Sequence, residues 1–230
     1  MTAYVLVHGA WHGAWCWERV RRLLTARGDT VHSPTLSGLG ERAHLLDRDV
    51  SLETHVRDVA LFLESERLEN VVLVGHSYSG IVVTAAADRM PERIARVVYL
   101  DAVVPRNGEG LYARSSERIR LMFEEAAQTS GDGWLVPTSV ATAGFLGLRD
   151  DEAVRWVVPR LTPHPVRTFR ETVRLRPGSL SMPRRYLNCI GDKPFGQPRS
   201  AQAEGIDDYH ELRTGHDAMV TAAEAVVALL

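Results

Sequence analysis

Short apolar runs at 4–7, 30–33, 71–74 and 95–100 alternate with segments of helical periodicity at 17–26, 51–63 and 81–89. Val56, Val59, Ala60 and Leu63, for example, recur at the spacing that places them on one helix face. Strands separated by helices of this length pair in parallel through right-handed crossovers, and burying both faces of such a sheet takes helices on both sides. The expected fold class is therefore α/β, with a mostly parallel, doubly wound sheet. The alternation stops near Pro105. From 106 to 183 the chain carries helical patterns at 117–128, 151–161 and 166–174 between Gly/Pro-containing loops, with no strong strand candidate. A strand at 186–190, a helix around 199–204, a strand at 209–212 and a helix over 218–230 then resume it. A length of 230 residues suits one domain. Its core is expected at 1–105 and 184–230, with 106–183 inserted as a helical cap.

In an open parallel sheet, reacting groups gather beyond the carboxyl ends of the strands. The strand at 71–74 runs into Gly75-His76-Ser77-Tyr78-Ser79-Gly80 and then into the alanine-rich stretch 81–87. A serine at so sharp a strand-to-helix turn needs small residues two positions either side, here Gly75 and Ser79. Serine in place of glycine at 79 is a departure from the strict G-x-S-x-G pattern, and a mild one, because Gly80 follows. The loops leaving the last two strands offer Asp192 and His216. His216 would take the proton of Ser77 and return it to a leaving group, and Asp192 would hold the imidazole tautomer. Asp101, at the end of the strand 97–100, competes for the acid's place. Asp207 and Asp208 precede a strand and fall at the wrong edge. Two backbone N–H groups must meet the developing oxyanion. Tyr78, at the start of the following helix, supplies one. Ala10, in the loop His8-Gly9-Ala10-Trp11-His12-Gly13, is expected to supply the other, with Gly9 allowing the tight turn. His8 reads as a loop brace bonded to backbone. Gly9, Trp11 and His12 from this loop, and Trp134, Phe145 and Trp156 from the cap, are candidates to line a substrate pocket.

A net charge of −2 argues against nucleic acid or an anionic membrane as partner. No apolar stretch approaches a membrane span, and the N-terminus enters a strand without a leader pattern, so a cytoplasmic location is expected. Cys16 and Cys189 lie far apart beside apolar segments and read as buried thiols. No metal site and no cofactor are expected, and a homodimer stays open.

The segments VLVHGAWHGAWCWERV (from Val5), VLVGHSYSG (from Val72), LNCIGDK (from Leu187) and TGHDAM (from Thr214) resemble one branch of the α/β-hydrolase superfamily. It is the branch of the plant methyl esterases and hydroxynitrile lyases with their bacterial esterase-like relatives. The stretch PTLSGLGERAHLL, from Pro34 to Leu46, is similar to the bacterial members in particular. The resemblance spans the core and is weak across the cap. It implies an α/β-hydrolase fold with Ser77 as nucleophile, His216 as base and Asp192, over Asp101, as acid, with Ala10 and Tyr78 as oxyanion donors. The lyases of this branch carry threonine after the first-loop histidine and lysine after the catalytic histidine. Here those positions hold Gly9 and Asp217, so no cation is present to stabilise departing cyanide.

The expected activity is a serine carboxylesterase, cleaving a small, partly hydrophobic ester through an acyl-enzyme on Ser77. The alternative uses the same site for carbon–carbon cleavage or a non-hydrolytic step, such as decarboxylation or cyclisation, on a secondary metabolite. A non-catalytic ligand-binding protein is disfavoured, because every triad and oxyanion position is filled by a competent residue.

Overall fold

In the computed structural model, which describes residues 1–191, 203, 205, 206 and 208–230, the strand–helix alternation is realised. The strands β1 (Ala3–Val7), β2 (Thr30–His32), β3 (Val71–His76) and β4 (Ile94–Leu100) alternate with α1 (Glu18–Ala26), α2 (Leu52–Ser65) and α3 (Ser79–Arg89). Between β4 and the next long strand lie α4 (Glu117–Ser130), β5 (Leu135–Val136), α5 (Ala143–Leu146), α6 (Asp151–Val157), β6 (His164–Pro165) and α7 (Arg167–Arg170). The chain closes with β7 (Arg184–Cys189), β8 (Asp208–Leu212), α8 (Ala218–Thr221) and α9 (Ala223–Leu229). The six long strands form one sheet in the order β2-β1-β3-β4-β7-β8, and every pairing in it is parallel.

β3, with the sequence VVLVGH, is buried at every position, as a strand covered on both faces must be. The order reverses between β1 and β3: the chain leaves β1 outward to β2, then returns to place β3 on the other side of β1. Crevices open at such switch points, beyond the carboxyl ends of the strands. The turns after β1 and β3 flank this one.

The flanking helices follow from local signals. α2 starts at Ser51, whose hydroxyl accepts from the Thr54 N–H while the Thr54 hydroxyl accepts from the Ser51 N–H. Such a cap contributes about 1 kcal/mol. Leu52, Val56, Val59 and Leu63 form its buried stripe. The Glu171 carboxylate also accepts from the Leu52 N–H at 2.7 Å, fastening the segment after α7 to the start of α2. α3 is buried from Ser79 to Asp88 because it lies between the sheet and α2, and a side chain at Gly80 would collide with the Val103 carbonyl.

The region 106–183 is less helical than its sequence pattern suggests. β5 and β6 pair antiparallel over two residues each. The pattern at 151–161 stops at Val157, where Pro159 turns the chain into the 3₁₀ segment Val158–Arg160. The helix expected over 218–230 breaks at Ala222, whose φ of −147° leaves the helical region. Cys16 and Cys189 are both buried thiols. Asp192, Asp207 and most of the helix expected around 199–204 lie outside the described residues.

Candidate active site

β3 ends at His76 and α3 begins at Ser79, so Ser77 and Tyr78 form the whole turn between them. Ser77 has a φ of 54°, a left-handed conformation that costs a non-glycine residue on the order of 1 kcal/mol. Neighbouring backbone holds it there: the Ser77 N–H donates to the Leu100 carbonyl at 3.2 Å, and the Val103 N–H donates to the Ser77 carbonyl at 3.0 Å. Space beside it is scarce. A Cβ on Gly75 would lie 2.6 Å from Val83 Cγ2, and one on Gly9 would lie 2.7 Å from His76 Nδ1 and 3.0 Å from Ser77 Cβ. Ser79, the departure from the glycine pattern, is fully buried and donates its hydroxyl proton to the His8 carbonyl. That hydrogen bond ties the turn after β3 to the loop after β1, which glycine could not do.

His216 comes from the loop between β8 and α8. Its Nε2 lies 2.9 Å from Ser77 Oγ, and its Nδ1 lies 2.6 Å from Asp101 Oδ2. Asp101 Oδ1 accepts from the backbone N–H of Cys189 at 3.1 Å. An ionised carboxylate only accepts, so Nδ1 carries the ring proton and Nε2 is left to receive the Ser77 hydroxyl proton. Asp101 directly follows β4, with a φ of 51° and a fully buried side chain, whereas the His216 side chain is 13% exposed. Asp192, the acid favoured by the sequence, lies outside the described residues. Among the described residues, the carboxylate at Nδ1 is that of its rival, Asp101.

The loop after β1 is held one peptide at a time. His8 Nδ1 donates to the Gly9 carbonyl at 2.9 Å, while its Nε2 accepts from the Leu36 N–H at 3.1 Å. In a trans peptide the C=O and N–H point in opposite directions. Turning the Gly9 carbonyl toward the His8 ring therefore turns the Ala10 N–H away from it. Neither the Ala10 nor the Tyr78 N–H has a backbone acceptor among the described residues. Tyr78 also opens α3, where the helix dipole favours negative charge.

The pocket candidates separate into two groups. Trp11 is buried, with its indole N–H donating to the Val136 carbonyl at 3.0 Å. Its ring meets Phe123, Phe145 and Phe169 at centroid distances of 5.5, 5.9 and 6.0 Å. Phe145 also lies 6.5 Å from the His216 ring, and Gly9 lies against Ser77, whereas Trp11 meets the site through Phe145. The other three are engaged elsewhere. Trp134 packs under the Arg48 guanidinium at 5.1 Å, Trp156 meets Trp15 at 5.2 Å, and His12 is buried with both ring nitrogens bonded.

The sequence reading missed two further histidines. Tyr78 donates its hydroxyl proton to His55 Nδ1 at 2.9 Å, and His55 Nε2 donates to the Ser37 carbonyl at 3.0 Å. His164 Nδ1 accepts from the Trp11 N–H at 3.4 Å, and its ring stacks on Phe169 at 4.5 Å. The one signal for His164 was its place between Pro163 and Pro165, which hold that segment extended.

Burial pushes His8 down to about 3, His55 down to about 4 and His164 well below its ordinary value. All three fold as neutral imidazoles, whereas the unfolded chain protonates them near pH 6.5. The unfolded state therefore binds more protons, and stability falls as the pH drops below about 6.5, by about 1.4 kcal/mol per pH unit for each histidine. Urea midpoints measured from pH 7.5 to 4.5 should fall with the slope of at least two protons. A flat profile above pH 5 would contradict these neutral cores.

The profile of the alpha/beta hydrolase family matches residues 4–229. The chain belongs to that family. This hydrolase is 38% identical over 96% of its length to the carbendazim hydrolyzing esterase of Nocardioides sp. (strain SG-4G), covering 94% of that protein. It is 30% identical over 84% of its length to methylesterase 9 of Arabidopsis thaliana, covering 81% of it. Among solved structures, an extracellular alpha/beta-hydrolase from a Paenibacillus species superposes with a TM-score of 0.87 at 23% identity, over 100% of this chain and 97% of that one. That last likeness concerns the fold. No cluster of metal-binding side chains occurs among the hydrolase's described residues, and no helix among them is long and apolar enough to cross a membrane.

Proposed function

We propose that this carboxylesterase works through an acyl-enzyme on Ser77, with His216 as general base and acid and Asp101 as the carboxylate that orients it. The observation that carries this reading is the unbroken chain from Ser77 Oγ through the His216 ring to Asp101, with links of 2.9 and 2.6 Å. Deprotonated through Nε2, Ser77 Oγ attacks the ester carbonyl. The alkoxide of the tetrahedral intermediate is met by the N–H groups of Ala10 and Tyr78, and His216 then returns the proton to the leaving alcohol. Water repeats the sequence on the acyl-enzyme and frees the acid. The kinship with an esterase over nearly the whole of both chains supports hydrolysis over carbon–carbon cleavage.

Residues 106–183 act in this reading as a cap on a core of 1–105 and 184–230. Phe145 reaches the His216 ring from α5, and Trp11 is bonded to Val136 and His164 in the cap's small β-ladder. The aromatic cluster of Trp11, Phe123, Phe145 and Phe169, which meets the His216 ring through Phe145, favours an uncharged, partly hydrophobic ester over a charged one. The test is covalent: a fluorophosphonate probe should add one phosphonyl group to the intact protein, located on the peptide containing Ser77. Labelling of another residue, or none, would overturn the assignment.

A further inference from the structure

Three successive carbonyls of the loop after β1 each receive a side-chain donor. Ser79 Oγ serves His8, His8 Nδ1 serves Gly9, and His12 Nδ1 serves Ala10 at 2.7 Å. The first two donors come from the loop itself and from the nucleophile turn. The third connects elsewhere, because His12 Nε2 lies 3.0 Å from the carboxylate of Asp217, the residue after His216. With acceptors at both nitrogens, the ring must carry two protons. Burial works against that charge, but the Asp217 charge and hydrogen bond, with the Ala10 carbonyl, outweigh it and raise the His12 pKa. The pair is sealed, at 1% and 0% side-chain exposure, and Trp15 stacks over the imidazole at 5.3 Å. Asp217 is fixed in turn: its N–H donates to the carbonyl of Leu146, the last residue of α5, at 3.0 Å. Beside it, His76 Nε2 donates to the His216 carbonyl at 3.0 Å. A Cβ at Gly147 would lie 2.7 Å from His216 N, so the end of α5 rests directly on the segment that carries the base.

We propose that His12 and Asp217 are positioning residues, a buried strut that ties the Ala10 carbonyl to the residue after His216 and so holds the loop carrying the Ala10 N–H at a fixed distance from the His216 imidazole. The inference rests on the acyl-enzyme reading, in which both groups must act on the same tetrahedral centre. It gives His12 a role outside the substrate pocket, and Asp217 a role distinct from that of the neighbouring base.

The test compares Asp217→Ala, Asp217→Asn and His12→Gln on an aryl ester, with rates expressed per Ser77 titrated by a fluorophosphonate. Losing the strut should lower kcat of Asp217→Ala by on the order of 10²-fold, comparable to losing one oxyanion donor, with KM little changed. In Asp217→Asn the new amide can donate to His12 Nε2 while a neutral His12 still donates Nδ1–H to Ala10, so most of that loss should be recovered. His12→Gln has one amide group for two acceptors and should resemble Asp217→Ala. If Asp217→Ala does not fold, the contrast between Asp217→Asn and His12→Gln decides. Variants that melt at lower temperature but keep wild-type kcat per titrated serine would reduce the pair to a stabilising contact and overturn the proposal. Failure of the underlying reading is distinct, since the wild-type protein would then not be titrated at all.

Discussion

Replacing Ser77 with alanine should lower kcat/KM for a small aryl ester by on the order of 10⁶-fold, the scale seen when a nucleophile that acts as a unit with its base is removed. The fold should survive. Ser77 is only partly buried, and the bonds that hold the turn, to Leu100 and Val103, are backbone bonds that alanine keeps. What is lost is the atom that forms the acyl bond, and with it the acceptor site at His216 Nε2 becomes idle. Some catalysis over water should persist, because the Ala10 and Tyr78 N–H groups can still polarise a bound carbonyl. The measurement is steady-state turnover on protein whose melting temperature matches the wild type. Near-normal turnover would remove Ser77 from the mechanism.

Much of this site was legible in the sequence because its signals are local. A strand, a sharp turn and a helix of small residues identify Ser77 without long-range information, and a glycine before His216 at the end of the last strand does nearly the same. The identity of the acid is a different kind of question. Asp101 and Asp192 each follow a strand, and sequence order ranks them, but order does not reveal that β4 and β7 are hydrogen-bonded neighbours. Because they are, the Cys189 N–H at the end of β7 reaches the carboxylate of Asp101 just beyond β4 and holds it toward His216.

The weakest reading was the cap. Four-residue helices and two-residue strands carry too little periodicity to show, and tertiary contacts decide them. His55 and His164 were hidden for a related reason. Each is a buried histidine whose partners, Tyr78 and Trp11, are far away in sequence. Ser79 carries the opposite lesson. A residue that reads as a tolerated exception to a pattern donates the bond that joins the turn after β3 to the loop after β1.

Asp101→Asn should lower kcat by on the order of 10⁴-fold, and the reason is the tautomer it enforces. Among the described residues, the carboxylate at 101 meets the Cys189 N–H at one oxygen and His216 Nδ1–H at the other. An asparagine placed there must keep its carbonyl oxygen toward Cys189, since that backbone N–H can only donate. Its NH₂ then points at His216 Nδ1 and demands an unprotonated nitrogen. The imidazole answers by moving its proton to Nε2, where it confronts the Ser77 hydroxyl and can no longer accept from it. The geometry survives while the base is lost, so kcat should collapse with little change in KM or melting temperature. Asp192→Asn, measured beside it, should leave kcat near the wild-type value. If instead only Asp192→Asn abolishes turnover, the hydrogen bond from His216 to Asp101 is structural, and the acid comes from the loop after β7.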